Sequence, residues 1–145
     1  MTPDVNLLVA ASRSDHPYHR QAFAWLTNAQ AACDIGATLH ILPMVAAGFL
    51  RLVTHPKVFK QPTPISAAVA FIDALLATPG VEIPSLGPEW RAFRHLCLSG
   101  ELGGNTVPDA WIAAAVKTIG GHLVTFDKDF AVLLPKSDVT ILAST

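Results

Sequence analysis

Cysteine is scarce in this chain, and its scarcity excludes several classes of small protein. The only two cysteines, Cys33 and Cys97, lie far apart and form no Cys-x-x-Cys pair. This pattern argues against a disulfide framework and against a cysteine-based zinc site. Both cysteines stand among apolar neighbours, so we expect two free thiols in a reducing compartment.

Long hydrophobic runs are also missing. No stretch approaches the ~18 consecutive apolar residues that a membrane-spanning helix needs. The N-terminal sequence MTPDVNLLVAAS lacks the basic region and the long apolar core of a signal peptide. We therefore expect a cytoplasmic protein that does not enter a membrane.

Charge of either sign is low. Charged residues make up 14 % of the chain, and ten Lys and Arg against eleven Asp and Glu give a formal net charge of −1. A general nucleic-acid binder has a basic surface, so any nucleic-acid substrate here must be held by local clusters or by a bound metal. Hydrophobic residues make up 51 % of the sequence, which predicts an exposed apolar patch and hence a homodimer or a protein partner.

Motifs of other enzyme classes are absent. The sequence contains no Walker loop, no GxGxxG and no serine nucleophile elbow, and its six histidines do not form a metal-ligand spacing. A haloacid-dehalogenase-like enzyme would have a second aspartate where Asn6 stands. A receiver domain would have an aspartate after the third predicted strand, where Pro84 and Ser85 stand instead.

Short aliphatic runs alternate with longer amphipathic stretches, which predicts an α/β domain with a mainly parallel sheet. The strands are predicted at Leu39–Leu42, Val81–Ile83, Leu123–Phe126 and Val139–Leu142. The apolar segment Val5–Ala10 is ambiguous. Thr63 before Pro64 predicts a capped helix start, and Gly120 predicts the end of a helix that Pro108 opens. We expect a single domain over residues 1–145.

Three aspartates fall at predicted element ends. Asp4 stands at the first strand-to-helix transition, Asp109 in the first turn of a helix, and Asp127 directly after the strand Leu123–Phe126. Each could simply cap a helix or a turn. In a parallel sheet, however, these positions share one edge, where ligands bind. Clustered carboxylates suit Mg²⁺ or Mn²⁺, which can polarise a phosphate and acidify a bound water for phosphodiester hydrolysis.

Further polar residues stand beside these aspartates. Asn6 could orient a carboxylate, and Asn105 lies in a glycine-rich loop before the Asp109 helix. Thr125 precedes Asp127 by two residues, so strand alternation puts both side chains on one face. An ordinary turn asparagine and an ordinary strand threonine explain Asn105 and Thr125 equally well.

Four segments, taken together and in order, resemble the PIN-domain family, in particular VapC toxins of bacterial toxin–antitoxin pairs. They read Asp-Val-Asn-Leu-Leu-Val from Asp4, Phe-Leu-Arg-Leu from Phe49, Gly-Asn-Thr-Val-Pro-Asp-Ala from Gly104, and Thr-Phe-Asp-Lys-Asp-Phe from Thr125. The likeness spans essentially the whole chain. It implies a three-layer α/β/α fold and a Mg²⁺- or Mn²⁺-dependent endoribonuclease that hydrolyses RNA. It also implies a homodimer and a cognate VapB-like antitoxin.

The resemblance assigns the first, third and fourth acidic positions of the family to Asp4, Asp109 and Asp127. The family's glutamate early in the second conserved helix is missing, because Ala46 stands at its place. This departure weakens the negative charge available for metal. Asp129 is the best local candidate to compensate, although it could equally be a solvated turn residue.

Basic residues that could contact RNA phosphates are few. Arg13, Arg51 and Lys128 are the candidates if they border the groove, although Arg51 could instead serve packing. Because the glutamate is missing, an alternative remains open: a catalytically degenerate PIN fold that only binds RNA or a partner protein.

Overall fold

The strands of this protein are short and all run parallel, as the computed structural model shows for residues 1–143. They are β1 (Thr2–Pro3), β2 (Leu39–His40), β3 (Val81–Glu82), β4 (Leu123–Thr125) and β5 (Val139–Ile141). Strand β4 pairs with β1 and β5, and β2 pairs with β3. The His40 N–H donates to the Met1 carbonyl at 3.0 Å, so the order across both groups is β3-β2-β1-β4-β5. The parallel sheet is confirmed; the last two residues of the predicted domain lie outside the described range.

Six helices connect these strands within residues 1–143. They are α1 (Val5–Ser12), α2 (His19–Ala32), α3 (Pro43–Val53), α4 (Ile65–Leu76), α5 (Trp90–Ser99) and α6 (Thr106–Thr118), with short 3-10 turns at Cys33–Ile35 and Lys128–Val132. The ambiguous N-terminal segment is helical because Asp4 caps it, its carboxylate accepting from the Val5 N–H at 2.7 Å. The strand β1 before it has only two residues and left no readable pattern.

Two helix starts differ from the sequence-based expectation. Thr63 does not cap α4: the N-cap is Pro64, without a side-chain bond, and the Thr63 hydroxyl instead accepts from the Arg13 guanidinium at 3.0 Å. Helix α6 begins at Thr106, two residues before Pro108, which a first helical turn tolerates. Its predicted end is confirmed, since the chain turns at Gly120 with φ +64°.

The helices form two groups beside the strands. Helix α1 packs on α2 and α3, and α3 packs on α4, whereas α5 packs on α6. Fully buried side chains fill the space between the helices and the strands, the largest being Phe49, Phe130, Leu7, Leu8, Leu39 and Ile41. This arrangement gives the expected three-layer α/β/α fold.

Both cysteines are free and half-buried, which confirms the prediction that Cys33 and Cys97 form no disulfide. No helix within residues 1–143 combines the length and the apolar character that crossing a bilayer requires.

Candidate active site

The strand order creates a switch point between β1 and β4. From β1, the chain moves outward to β2 and β3 on one side, and then to β4 and β5 on the other. In parallel α/β sheets, ligands bind at such a point, beyond the carboxyl ends of the strands. Asp4 follows β1 and Asp127 follows β4, and both line a groove of about 980 Å³ at this edge.

A short hydrogen-bond network fixes two of the aspartates. The buried Thr125 hydroxyl donates to Asp4 Oδ2 at 2.7 Å and accepts from the Asp127 N–H at 3.0 Å. The remaining Asp4 oxygen caps α1, and Asp127 Oδ1 accepts from the Asp129 N–H at 2.9 Å. The two carboxylates are thus held in fixed positions, each with a hydrogen-bond donor from the chain.

Asp109 enters the same groove from the first turn of α6. Partial burial, followed in order of effect by the negative charges of Asp4, Asp127 and Asp129, raises the pKa of Asp109 to about 6. Burial is also the main reason that the pKa of Asp4 lies above its ordinary value, although the bonds from Thr125 and Val5 oppose the shift. The groove therefore holds negative charge at an energetic cost, which a cation would relieve.

The groove wall formed by α3 carries no acid. Its lining residues are Pro43, Met44, Ala47, Gly48, Arg51 and Leu52. Ala46, the aligned position of the family glutamate, packs partly against the core instead. A Cβ at Gly48 would lie 2.9 Å from a Val5 methyl, so glycine allows α3 to approach the first residue of α1 closely.

The other predicted polar residues are distributed around the aspartates. Asn6 and Asn105 line the groove, and Asn6 Oδ1 accepts from the Phe126 N–H at 3.4 Å. Asp129 is exposed and acts on Asp109 through its charge. Asn105, the N-cap of α6, makes no side-chain capping bond.

The three candidate basic residues differ in where they lie relative to the groove. Arg51 is exposed and lines the groove. Lys128 is exposed beside Asp127 but is not part of the lining. Arg13 lies elsewhere and has a structural role: it pairs with Asp15 at 2.8 Å, donates to Thr63 and to the Gln61 carbonyl, and covers the Phe59 ring.

Comparison with known proteins identifies the family. Residues 1–133 match the PIN domain. The chain belongs to the PIN-domain family. It is 37 % identical over 131 residues to Ribonuclease VapC31 of Mycobacterium tuberculosis, covering 88 % of this chain and 89 % of the relative. Ribonuclease VapC25 of the same species is 37 % identical over 129 residues, with the same two coverages.

A solved structure supports the fold of this PIN domain. The crystal structure of VapBC2 from Rickettsia felis bound to a DNA fragment from their promoter matches with a TM-score of 0.66, covering 98 % of both chains. Its sequence identity is 16 %, so this likeness bears on the fold alone.

Sequence reasoning missed the aromatic part of the groove of this PIN domain. Phe93 of α5 and Trp111 of α6 both line it. The amphipathic pattern of α5 indicated Phe93 only as a packing residue. A usable signal existed at Trp111, because a large aromatic residue in an alanine-rich helix, two residues after a candidate metal ligand, is not needed for the core.

The carboxylates of the groove are the kind of ligand that a hard divalent cation such as Mg²⁺ prefers. Among the residues that the structure describes, no three His, Cys, Asp or Glu side chains form a group that could hold a metal ion. Mg²⁺ is, however, commonly held by one or two carboxylates and keeps several waters. The side chains of Asp4, Asp109 and Asp127 line one open groove and carry the type of oxygen ligand that this cation prefers.

Proposed function

We propose that this PIN domain is a divalent-metal-dependent endoribonuclease and the toxin of a VapBC-like toxin–antitoxin pair. The observation that carries the proposal is the meeting of Asp4, Asp109 and Asp127 in one groove at the switch point of the sheet. The identity to relatives named as VapC ribonucleases supports RNA as the substrate. Mg²⁺ or Mn²⁺ is the proposed cofactor, with Asp4, Asp109 and Asp127 as the candidate ligands.

The residues of the chain prepare this site before any substrate arrives. Thr125 holds Asp4 and Asp127 in place through one hydroxyl, which both donates and accepts. Asn6 ties the start of α1 to the chain after β4 at Phe126. When bound, a divalent cation would supply the positive charge that stabilises a phosphate in the transition state and lowers the pKa of water. Arg51 is the first candidate to contact RNA phosphates, because it lines the groove. Lys128 is the second candidate.

The partners of the domain are part of the proposal. We propose a VapB-like antitoxin because the chain falls among the VapC proteins. We propose a homodimer because large apolar side chains remain exposed, including Ile35 at 89 % and Trp90 at 65 %. Light scattering of the purified chain should give the mass of a dimer, and a monomer at high concentration would contradict that part.

Cleavage of a labelled RNA pool tests the enzymatic proposal. Purified protein should cut RNA with Mg²⁺ or Mn²⁺ and should stop when EDTA is added. Asp4→Asn should abolish cutting, whereas Asp73→Asn, an exposed aspartate of α4 outside the groove, should cut like wild type. Cutting that persists in EDTA or in Asp4→Asn would contradict the proposal.

One observation favours a second function. The α3 wall has no acid where the family has its glutamate, so the metal site has less charge than usual. A degenerate PIN fold would bind RNA or a partner protein without cutting. Absence of cleavage together with absence of Mn²⁺ binding would favour this function over the enzyme.

A further inference from the structure

Two aromatic rings lie next to each other in the wall of the groove that Asp109 also lines. The rings of Phe93 and Trp111 are nearly parallel, with 13° between their planes and 6.4 Å between their centroids. At this distance two parallel rings are offset rather than superposed. The ring of Trp90 also packs edge-to-face with Phe93, with 5.9 Å between the centroids. Trp111 is 40 % exposed, although an indole of this size normally gains by burial.

The buried carboxylate of Glu89 contacts the indole of this aromatic pair. Trp111 Nε1 donates to Glu89 Oε1 through a long bond of 3.4 Å, and Glu89 Oε2 accepts from the Gly87 N–H at 2.6 Å. Glu89 is only 9 % exposed, and hydrogen bonding, first from its own backbone, keeps its pKa below the ordinary value. The indole is therefore positioned before a ligand binds, which lowers the entropic cost of binding to it.

The charge of the groove restricts what can bind there. Among the described residues that line it, Arg51 is the only cation, and three others are aspartates. An RNA backbone gains little attraction from such a groove. The uncharged faces of Phe93 and Trp111 can instead stack on a nucleobase, an interaction that is worth about ten-fold or more in affinity per base and is tolerant of sequence. A base within a duplex has both faces covered, so only an unpaired base can use this surface.

We propose that Phe93 and Trp111 form a stacking subsite for one unpaired nucleobase of the RNA, in the groove that the three aspartates also line. This inference rests on the proposed ribonuclease function and adds the residues that would hold one base of the substrate. Trp111 and Phe93 are binding residues in this account, and the carboxylates remain the groups that act at the phosphate.

The test compares a ring with an aliphatic side chain at position 111. Trp111→Phe and Trp111→Leu both remove the bond to Glu89, but only the first retains an aromatic face. In an Asp4→Asn background with Mg²⁺, a labelled single-stranded RNA pool should bind about ten-fold more weakly to Trp111→Leu, with most of the affinity retained in Trp111→Phe. Phe23→Leu is the control, because Phe23 is an exposed aromatic residue of α2 outside the groove lining.

The same RNA annealed into a perfect duplex should bind weakly to every variant. Circular dichroism melts verify folding, and Phe93→Leu provides the same comparison from α5 if Trp111→Leu does not fold. Equal single-strand affinity for wild type and Trp111→Leu would overturn the subsite, as would equal loss in the Leu and Phe variants. If either outcome is found while the wild type still cleaves RNA in the presence of metal, the subsite is overturned and the ribonuclease proposal stands. A wild type that neither binds nor cleaves any RNA would overturn the ribonuclease proposal and the subsite together.

Discussion

Replacing Asp109 with asparagine should stabilise the metal-free protein at neutral pH. The fold holds this carboxylate partly buried and near three other acids, which raises the pKa of Asp109 from 3.8 to about 6. Asparagine keeps the shape and removes the charge. The expected gain is therefore the electrostatic cost that the wild type carries when Asp109 is ionised.

The size of this gain follows from the pKa. A rise from 3.8 to about 6 corresponds to at most ~3 kcal/mol of unfolding free energy, because one pKa unit is worth about 1.4 kcal/mol. Solvent screens a partly exposed group, so we expect about 1 to 2 kcal/mol. Between about pH 4 and 6, the folded chain keeps the Asp109 proton that the unfolded chain has already released. The stability that depends on this proton is therefore fully present below that window and is lost as the pH rises through it.

Urea unfolding of both proteins in EDTA measures the effect. At about pH 7.5, Asp109→Asn should be the more stable protein. At about pH 4.5 the difference should fall to about a third of that value, because the wild-type carboxyl is then protonated in the folded chain but still largely ionised in the unfolded chain. Asp73→Asn is the matched control and should show no such pH-dependent gain, since Asp73 is exposed on α4. A variant that is less stable than wild type at neutral pH, or equally shifted at both pH values, would refute the reasoning.

The remaining predictions concern three residues at the groove and one arginine away from it. Thr125→Val should lower the unfolding free energy at neutral pH by about 1 to 3 kcal/mol, because the buried Asp4 carboxylate loses its 2.7 Å donor. Thr125→Ser retains the hydroxyl and should lose less unfolding free energy than Thr125→Val. Equal losses of the two variants in urea unfolding would argue against a stabilising bond from Thr125 to Asp4. Arg13→Ala should lower the unfolding free energy by about 1 kcal/mol without altering RNA cleavage. Arg51→Ala should weaken RNA binding at low salt without altering the unfolding free energy. Loss of RNA binding in Arg13→Ala together with loss of stability in Arg51→Ala would contradict both assignments. Gly48→Ala should destabilise by about 1 to 3 kcal/mol because its Cβ would lie 2.9 Å from a methyl of α1, and a stabilised variant would show that the two helices are not tightly packed there.

The positions of the aspartates could be predicted because they depend on local pattern and on one topological rule. Asp4 and Asp127 each follow a strand, Asp109 stands in the first turn of a helix, and parallel strands bring such positions to one edge. Strand alternation also placed Thr125 on the side of Asp127, and its hydroxyl does bridge to Asp4.

Long-range side-chain choices could not be predicted in the same way. Thr63 has the residue type of a helix cap, but its hydroxyl bonds to Arg13, which is fifty positions away. The pairing of Phe93 with Trp111 depends on how α5 packs against α6, and no periodicity within either helix contains that information.

The most direct test of this account is a titration of Mn²⁺ into the purified protein, followed by electron paramagnetic resonance. We predict that wild type binds Mn²⁺, that Asp109→Asn and Asp127→Asn lose this binding, and that Asp73→Asn retains it. Mn²⁺ binding that is absent in wild type, or that survives in both groove variants, would contradict the claim that these carboxylates form a metal site.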